Sequence, residues 1–247
     1  MLDKITASLI CMDLSDIKTD IDTLLDNGVN CLHADFMDNI FVPRLGISPE
    51  LIQWIRKRYG NNVEIDSHLM VQNPYDCVDV IAPFSNWVFF HYEAVPDPLR
   101  ILQRLNNCLS PVNKGITYNI GTRVSYDLLK TGLVDGIMFM GISPGVLTTK
   151  SWPEILKNKI LNVRVEESIG VIEPSKIYID GGVKFDSIEG LLVPEKFARY
   201  GDYGADKLVC GSSTLFKIDE ETKGLTRPEM IKYNIHRIEE KIKEAIG

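Results

Sequence analysis

The stretch CLHADFMDNIFVPRLGISPELIQWIRKRYGNNVEIDSHLM (31–70) holds the pattern that decides the fold. It opens on a short β-prone run, CLHADF (31–36), and closes on another, VEIDSHLM (63–70). Between them, SPELIQWIRKRYG (48–60) reads as an amphipathic helix, with Ser48 where an N-cap belongs, Pro49 at the first helical position and Gly60 beyond the end. A strand, a helix and a second strand in this order predict a parallel βαβ unit.

The unit recurs in both directions. Upstream, ITASLI (5–10) precedes LSDIKTDIDTLLDNG (14–28), where Ile17, Ile21, Leu24 and Leu25 recur at helical spacing and Gly28 stops the helix. Downstream come WVFFH (87–91), KGITYNI (114–120), GIMFMGI (136–142), KIYIDGG (176–182) and KLVCGSS (207–213). Eight strands alternating with helical or turn segments predict an α/β fold, a single (β/α)8 TIM barrel, and 247 residues suit one. No Pro/Ser/Gly-rich linker or charge block divides the chain, so residues 1–247 are expected to be one domain. Residues 158–175 and 193–206 are longer than a minimal barrel needs and read as insertions. The segment RPEMIKYNIHRIEEKIKEAIG (227–247) reads as a closing helix.

Composition narrows the function. A net charge of −7 opposes binding to a nucleic-acid backbone or an anionic membrane, so neither is an expected partner. A small phosphorylated substrate stays open, because backbone N–H groups can override the global sign locally. Five cysteines with no close-paired spacing form neither a zinc ribbon nor a closed disulfide framework. Cys11, Cys31 and Cys210 lie in apolar runs and read as buried thiols in a reducing compartment. The N-terminal apolar run is too short for a signal peptide and no stretch reaches membrane-spanning length, so the expected location is the cytoplasm.

Chemistry-bearing residues gather at the C-terminal ends of the strands, where barrel active sites are built. His33 and Asp35 are two apart and share a face, as do Asp66 and His68; Asp180 closes the seventh strand just before Gly181-Gly182. Any one of these alone reads as a hydrogen-bonded strand end. Their convergence from three strands does not, because buried charges are costly unless paired or bound to a metal. Mixed imidazole and carboxylate donors predict one divalent metal ion, with zinc, iron, cobalt or manganese favoured over the all-oxygen shells of magnesium and calcium.

HADFMDNIFVP (33–43), DSHLMV (66–71), IDGGV (179–183) and GSSTLF (211–216) resemble signature segments of the ribulose-phosphate 3-epimerase family. ASLICMDL (7–14) and LGISPELI (45–52) are more similar to its allulose-6-phosphate 3-epimerase branch. The resemblance covers nearly the whole chain. It implies that His33, Asp35, His68 and Asp180 hold the metal and that Asp35 and Asp180 are the acid/base pair. It also implies that Ser8 and His68 contact substrate, with the phosphate on Gly145 onward, Gly181-Gly182 and Gly211-Ser212. The implied reaction is 3-epimerisation of a ketose phosphate by two-base proton transfer through an enediolate. The substrate would be D-ribulose 5-phosphate/D-xylulose 5-phosphate or a hexulose 6-phosphate such as D-allulose 6-phosphate, and a homo-oligomer is expected.

The chain departs from the family at Asn39, where glycine is usual, and at Arg44, where asparagine is usual. The loop after strand 6 reads SPGVLTTK (143–150) and has lost two glycines; Thr148, Thr149 or Lys150 are candidates for a contact in their place, with a solvated surface lysine the plainer reading of Lys150. Met12, Met37 and Met138 or Met140 are candidates for an apolar wall, with core packing the plainer alternative. Asp38 reads as a turn cap, His91 with Glu93 as support for the site, and His236 as a surface residue. Two other functions compete. A related barrel decarboxylase or aldolase would show D-x-K where Asp35-Phe36-Met37 stands, and a non-catalytic sugar-phosphate binder would be expected to lose an acid/base carboxylate first.

Overall fold

The computed structural model describes residues 1–146, 153–173, 175–193 and 204–246. Eight parallel strands close into a barrel in chain order: β1 (Ile5–Ser8), β2 (Cys31–Met37), β3 (Glu64–Met70), β4 (Trp87–His91), β5 (Asn113–Tyr118), β6 (Gly136–Met140), β7 (Lys176–Asp180) and β8 (Lys207–Cys210). Around them run α1 (Ile17–Asp26), α2 (Pro49–Tyr59), α3 (Val78–Ile81), α4 (Pro98–Asn106), α5 (Tyr126–Leu129), α6 (Pro153–Ser168), α7 (Ile188–Leu192) and α8 (Arg227–Ile246). The predicted barrel is therefore the observed one. Among the described residues, no helix is long and apolar enough to cross a membrane.

Helix ends follow local chemistry. The Asp16 side chain accepts from Thr19 N at 3.4 Å and caps α1. Ser48 stands at the N-cap of α2, but its side chain makes no capping bond; Pro49 starts the helix and Gly60 ends it. Residues 158–175 are not the insertion the sequence suggested. Most of that stretch is the continuation of α6, which buries Leu156, Ile160 and Val163 against the barrel. Of the second long stretch, residues 194–203 lie outside the described residues.

The main apolar core lies between barrel and helices, and a second one fills part of the barrel interior. Trp87 stacks on Phe89 with ring centroids 5.5 Å apart, and Tyr178 and Met138 pack beside them. Phe89 has room because its neighbour on β5 is Gly115, where a Cβ would fall 2.0 Å from the ring. Trp87 uses Gly136 in the same way, at 2.7 Å. Burying each large ring contributes about 1.5–3 kcal/mol. Met138 therefore belongs to this core, not to a wall over the site.

The opposite half of the barrel floor is polar. Lys207 Nζ lies 2.7 Å from Glu64 Oε2 and 3.1 Å from Cys31 Sγ, and the Cys31 thiol donates to Asp66 Oδ2 at 3.1 Å. Trp87 Nε1 donates to Glu64 Oε1 at 3.2 Å and joins the two halves. Burial raises the Asp66 carboxyl above its ordinary range, while Lys207 pulls it down.

Candidate active site

His33 and Asp35 on β2, His68 on β3 and Asp180 at the end of β7 turn one donor atom each toward a common point, with all four within 4.8 Å of one another. His33 Nε2 lies 3.2 Å from Asp35 Oδ1 and 3.9 Å from Asp180 Oδ2, and His68 Nδ1 lies 3.3 Å from both of those oxygens. Close as they are, both ring nitrogens of His33, His68 Nδ1 and Asp35 Oδ1 are buried without a hydrogen bond. The atoms point at a shared centre more than at one another. Donors bonded at about 2.0–2.2 Å to one ion stand roughly 3–3.5 Å apart, so the set fits a single divalent cation. Orphaned buried donors of this kind are expensive unless something binds them.

The electrostatics agree. Burial alone would push the His33 imidazole down, yet the Asp35 carboxylate beside it raises it to about 9. Burial would raise Asp35, but His33 and His68 hold it well below the usual carboxylate range. The centre carries a strongly negative potential that retains a proton or draws in a metal ion.

A chain of contacts fixes His68 from behind. His68 Nε2 is 3.1 Å from His91 Nε2, and His91 Nδ1 is 3.2 Å from Glu93 Oε2. Glu93 also accepts from Asn119 N at 2.9 Å. Burial lowers His91 to about 4, so its ring is neutral at pH 7. Burial works against the ionised Glu93, but the bonds from His91 and its other donors lower it to about 2. One assignment of protons satisfies the chain: His91 Nδ1–H donates to Glu93, and His91 Nε2 accepts from His68 Nε2–H. That leaves the His68 Nδ1 lone pair on the centre.

A cavity of about 400 Å³ opens above the two carboxylates. Asp35, Asp180, Ser8, Gly145, Gly181, Gly182, Gly211 and Ser212 all line it. Ser8 Oγ donates to Asp35 Oδ2 at 3.4 Å, so the second oxygen of that carboxylate is also oriented. Gly181 and Gly182 have φ of +87° and +71°, a region that favours glycine, and turn the chain away from Asp180 around the cavity wall. The His68 ring is fully buried and meets the cation centre, and the cavity lining runs over Asp35 and Asp180 beside it.

Met37 and Met140 line the cavity, as does Met70, which the sequence reading missed although its parity with His68 on β3 pointed inward. Met12 is buried and lines no part of it. Asp66 faces the interior like His68 but belongs to the floor, one alternation lower. Asp38 accepts from the N–H groups of Ile40, Phe41 and Gln72 and serves as a turn cap. Cys31 and Cys210 are buried, whereas Cys11 is half-buried and lines the cavity. His236 is exposed beside Glu240. Thr148, Thr149 and Lys150 lie outside the described residues.

Comparison with known proteins places this geometry. The chain is 31% identical over 214 residues to the ribulose-phosphate 3-epimerase of Escherichia coli, covering 85% of this chain and 87% of that one. It is 29% identical over 219 residues to the enzyme of the same name from Aquifex aeolicus, covering 87% and 91%. Among solved structures, the tryptophan synthase alpha subunit of Legionella pneumophila superposes with a TM-score of 0.59 at 10% identity, covering 97% of this chain and 92% of that one, a likeness of fold alone. The model of the ribulose-phosphate 3-epimerase family matches residues 4–215. A match of that extent decides membership: the chain belongs to the ribulose-phosphate 3-epimerase family, a family of isomerases.

Proposed function

We propose that the chain is a metal-dependent 3-epimerase of a ketose phosphate, folded as a single barrel domain over residues 1–247. The observation that carries this reading is that Asp35 and Asp180, from strands far apart around the rim, each give one oxygen to the cation centre and both border one cavity. Inverting the carbon beside a ketone needs a base on one face and an acid on the other. Asp35 and Asp180 fill these roles and exchange them with the direction of reaction. A divalent cation held by His33, Asp35, His68 and Asp180 supplies Lewis-acid stabilisation of the charge that develops as the C3 proton leaves.

The remaining residues hold this arrangement in place. Ser8 orients Asp35, and the His68–His91–Glu93 chain orients His68. Met37, Met70 and Met140 form an apolar wall that limits water around the reacting carbon and strengthens the local electrostatics. Backbone N–H groups at Gly181-Gly182 and Gly211-Ser212, with Gly145, are suited to the phosphate. The substrate is a pentulose 5-phosphate or a hexulose 6-phosphate such as D-allulose 6-phosphate; zinc, iron, cobalt or manganese suits the donor set. The same reading expects a cytoplasmic homo-oligomer. A decarboxylase or aldolase reading lacks support, since the described residues that line the cavity include no lysine.

The test is solvent-deuterium uptake at C3 across a panel of pentulose and hexulose phosphates, using protein purified with about one equivalent of metal per chain. Uptake with inversion is expected for at least one member, and strong chelation is expected to abolish it. Full turnover by metal-free protein, or no uptake with any member, would overturn the reading.

A further inference from the structure

Arg44 has no role in the chemistry above, yet it lines the same cavity. It is half-buried, and its guanidinium has no ion pair or hydrogen bond among the described residues. Among the described residues that line the cavity it is the sole cation. It lies farther than 4.0 Å from both Asp35 and Asp180, because neither forms an ion pair with it. A lone guanidinium set apart from the carboxylates, in a cavity whose other charges are negative, suits an anionic end of the ligand distant from the reacting carbon.

The backbone beneath Arg44 is held in place. Gly46 N donates to Met37 O at 3.1 Å and Ile47 N to Asp35 O at 3.0 Å, folding the loop back onto the strand that carries the site. Gly46 makes that approach possible, since a Cβ there would fall 2.3 Å from Asp35 O. Asn39 N donates to Arg44 O at 3.0 Å, and Asp38 pairs with Leu45 in an antiparallel bridge. Across the cavity mouth, Val42 abuts Gly145, where a Cβ would fall 2.6 Å from Val42 Cβ. The loop after β2 thus meets the loop after β6 where the latter carries Val146.

We propose that Arg44 is a specificity-determining residue that binds the substrate phosphate with its side chain, adding a charged fork to the backbone N–H groups of the glycine segments. The planar guanidinium presents paired N–H donors that match two phosphate oxygens, and its anchored backbone lowers the entropy lost on binding. This rests on reading the cavity as a ketose-phosphate site.

The test uses metal-loaded wild type, Arg44→Ala, Arg44→Gln and Arg44→Lys proteins, each checked for unchanged thermal unfolding. Calorimetric titration with inorganic phosphate is expected to show about tenfold to a hundredfold weaker binding for the Ala and Gln variants, with part of the loss recovered in Lys. KM for the phosphorylated ketose is expected to rise by a similar factor while kcat changes far less. Preference for phosphorylated over unphosphorylated ketose should narrow accordingly. Phosphate binding and KM within about twofold of wild type would overturn the role, as phosphate held only by the metal or by glycine N–H groups does not respond to residue 44. If no ketose phosphate exchanges its C3 proton but phosphate binding still depends on Arg44, the anion role stands and the epimerase reading falls.

Discussion

Two clusters share β2 and β3 at successive depths of the barrel, one completed by Asp180 of β7 and the other by Lys207 of β8. At the rim, His33, Asp35, His68 and Asp180 crowd around a point and leave buried donor atoms without partners. At the floor, Cys31, Glu64 and Asp66 come equally close and Asp66 Oδ1 also lacks a hydrogen bond, but Lys207 reaches in and supplies a cation from the chain itself. Cys31 and His33 are two residues apart, as are Asp66 and His68. Donor residue types and proximity are therefore not enough to identify a metal centre. A cluster given a cation by the chain itself reads as structural, and one whose charge no side-chain cation answers suits a ligand.

The largest expected effect tests the rim. Asp35→Asn and Asp180→Asn should each lower kcat by at least about a thousandfold, since each would remove a proposed proton carrier and a proposed metal donor together. Metal content measured on the same samples separates the two losses. Near-normal epimerisation by a metal-loaded variant would remove that carboxylate from the acid/base pair. The floor should answer differently. Lys207→Met strands the negative charge of Glu64 and Asp66 and should destabilise the fold by about 2–4 kcal/mol in denaturant unfolding, less than a fully buried pair because Glu64 stays partly in water. Its metal content should remain one equivalent and its kcat within about threefold of wild type. A second equivalent bound by wild-type protein would erase the distinction between the two clusters. The smallest effect lies behind the rim. His91→Phe leaves the His68 N–H buried without an acceptor and should weaken metal affinity by about tenfold to a hundredfold in chelator competition. Glu93→Gln should do the same more mildly, because the amide oxygen can still accept from His91.

Much of this was legible in the chain. WVFFH (87–91) coincides with β4, and the other seven runs contain or overlap their strands. Several runs extend past the observed C-terminal end, as at Ile10 and Ile142, because apolar residues continue into loops that line the cavity. Strand parity put His33, Asp35 and His68 on the inner face, and parallel register levels Asp35 with His68, with His33 one alternation lower beside Asp66. What parity could not give was depth along the barrel, so Asp66 read as part of the rim. The pairings of Lys207 with Cys31 and Glu64 span 176 and 143 positions, and only closure of β8 onto β1 brings them together. Arg44 was visible as an odd residue, but its lack of a partner is a property of the folded loop.

The close fit of Phe89 over Gly115 and of Trp87 over Gly136 has a consequence for inheritance. Neither glycine can gain even a methyl group while its aromatic neighbour stays, and shrinking the aromatic first opens a void costing several kcal/mol. Each pair can drift only through a damaged intermediate, so positions 89 and 115, and 87 and 136, should change together across relatives or not at all. Half of the barrel interior is thereby closed to gradual substitution, and variation is steered toward the loops around the cavity mouth, where substrate choice can shift while the centre beneath keeps its shape.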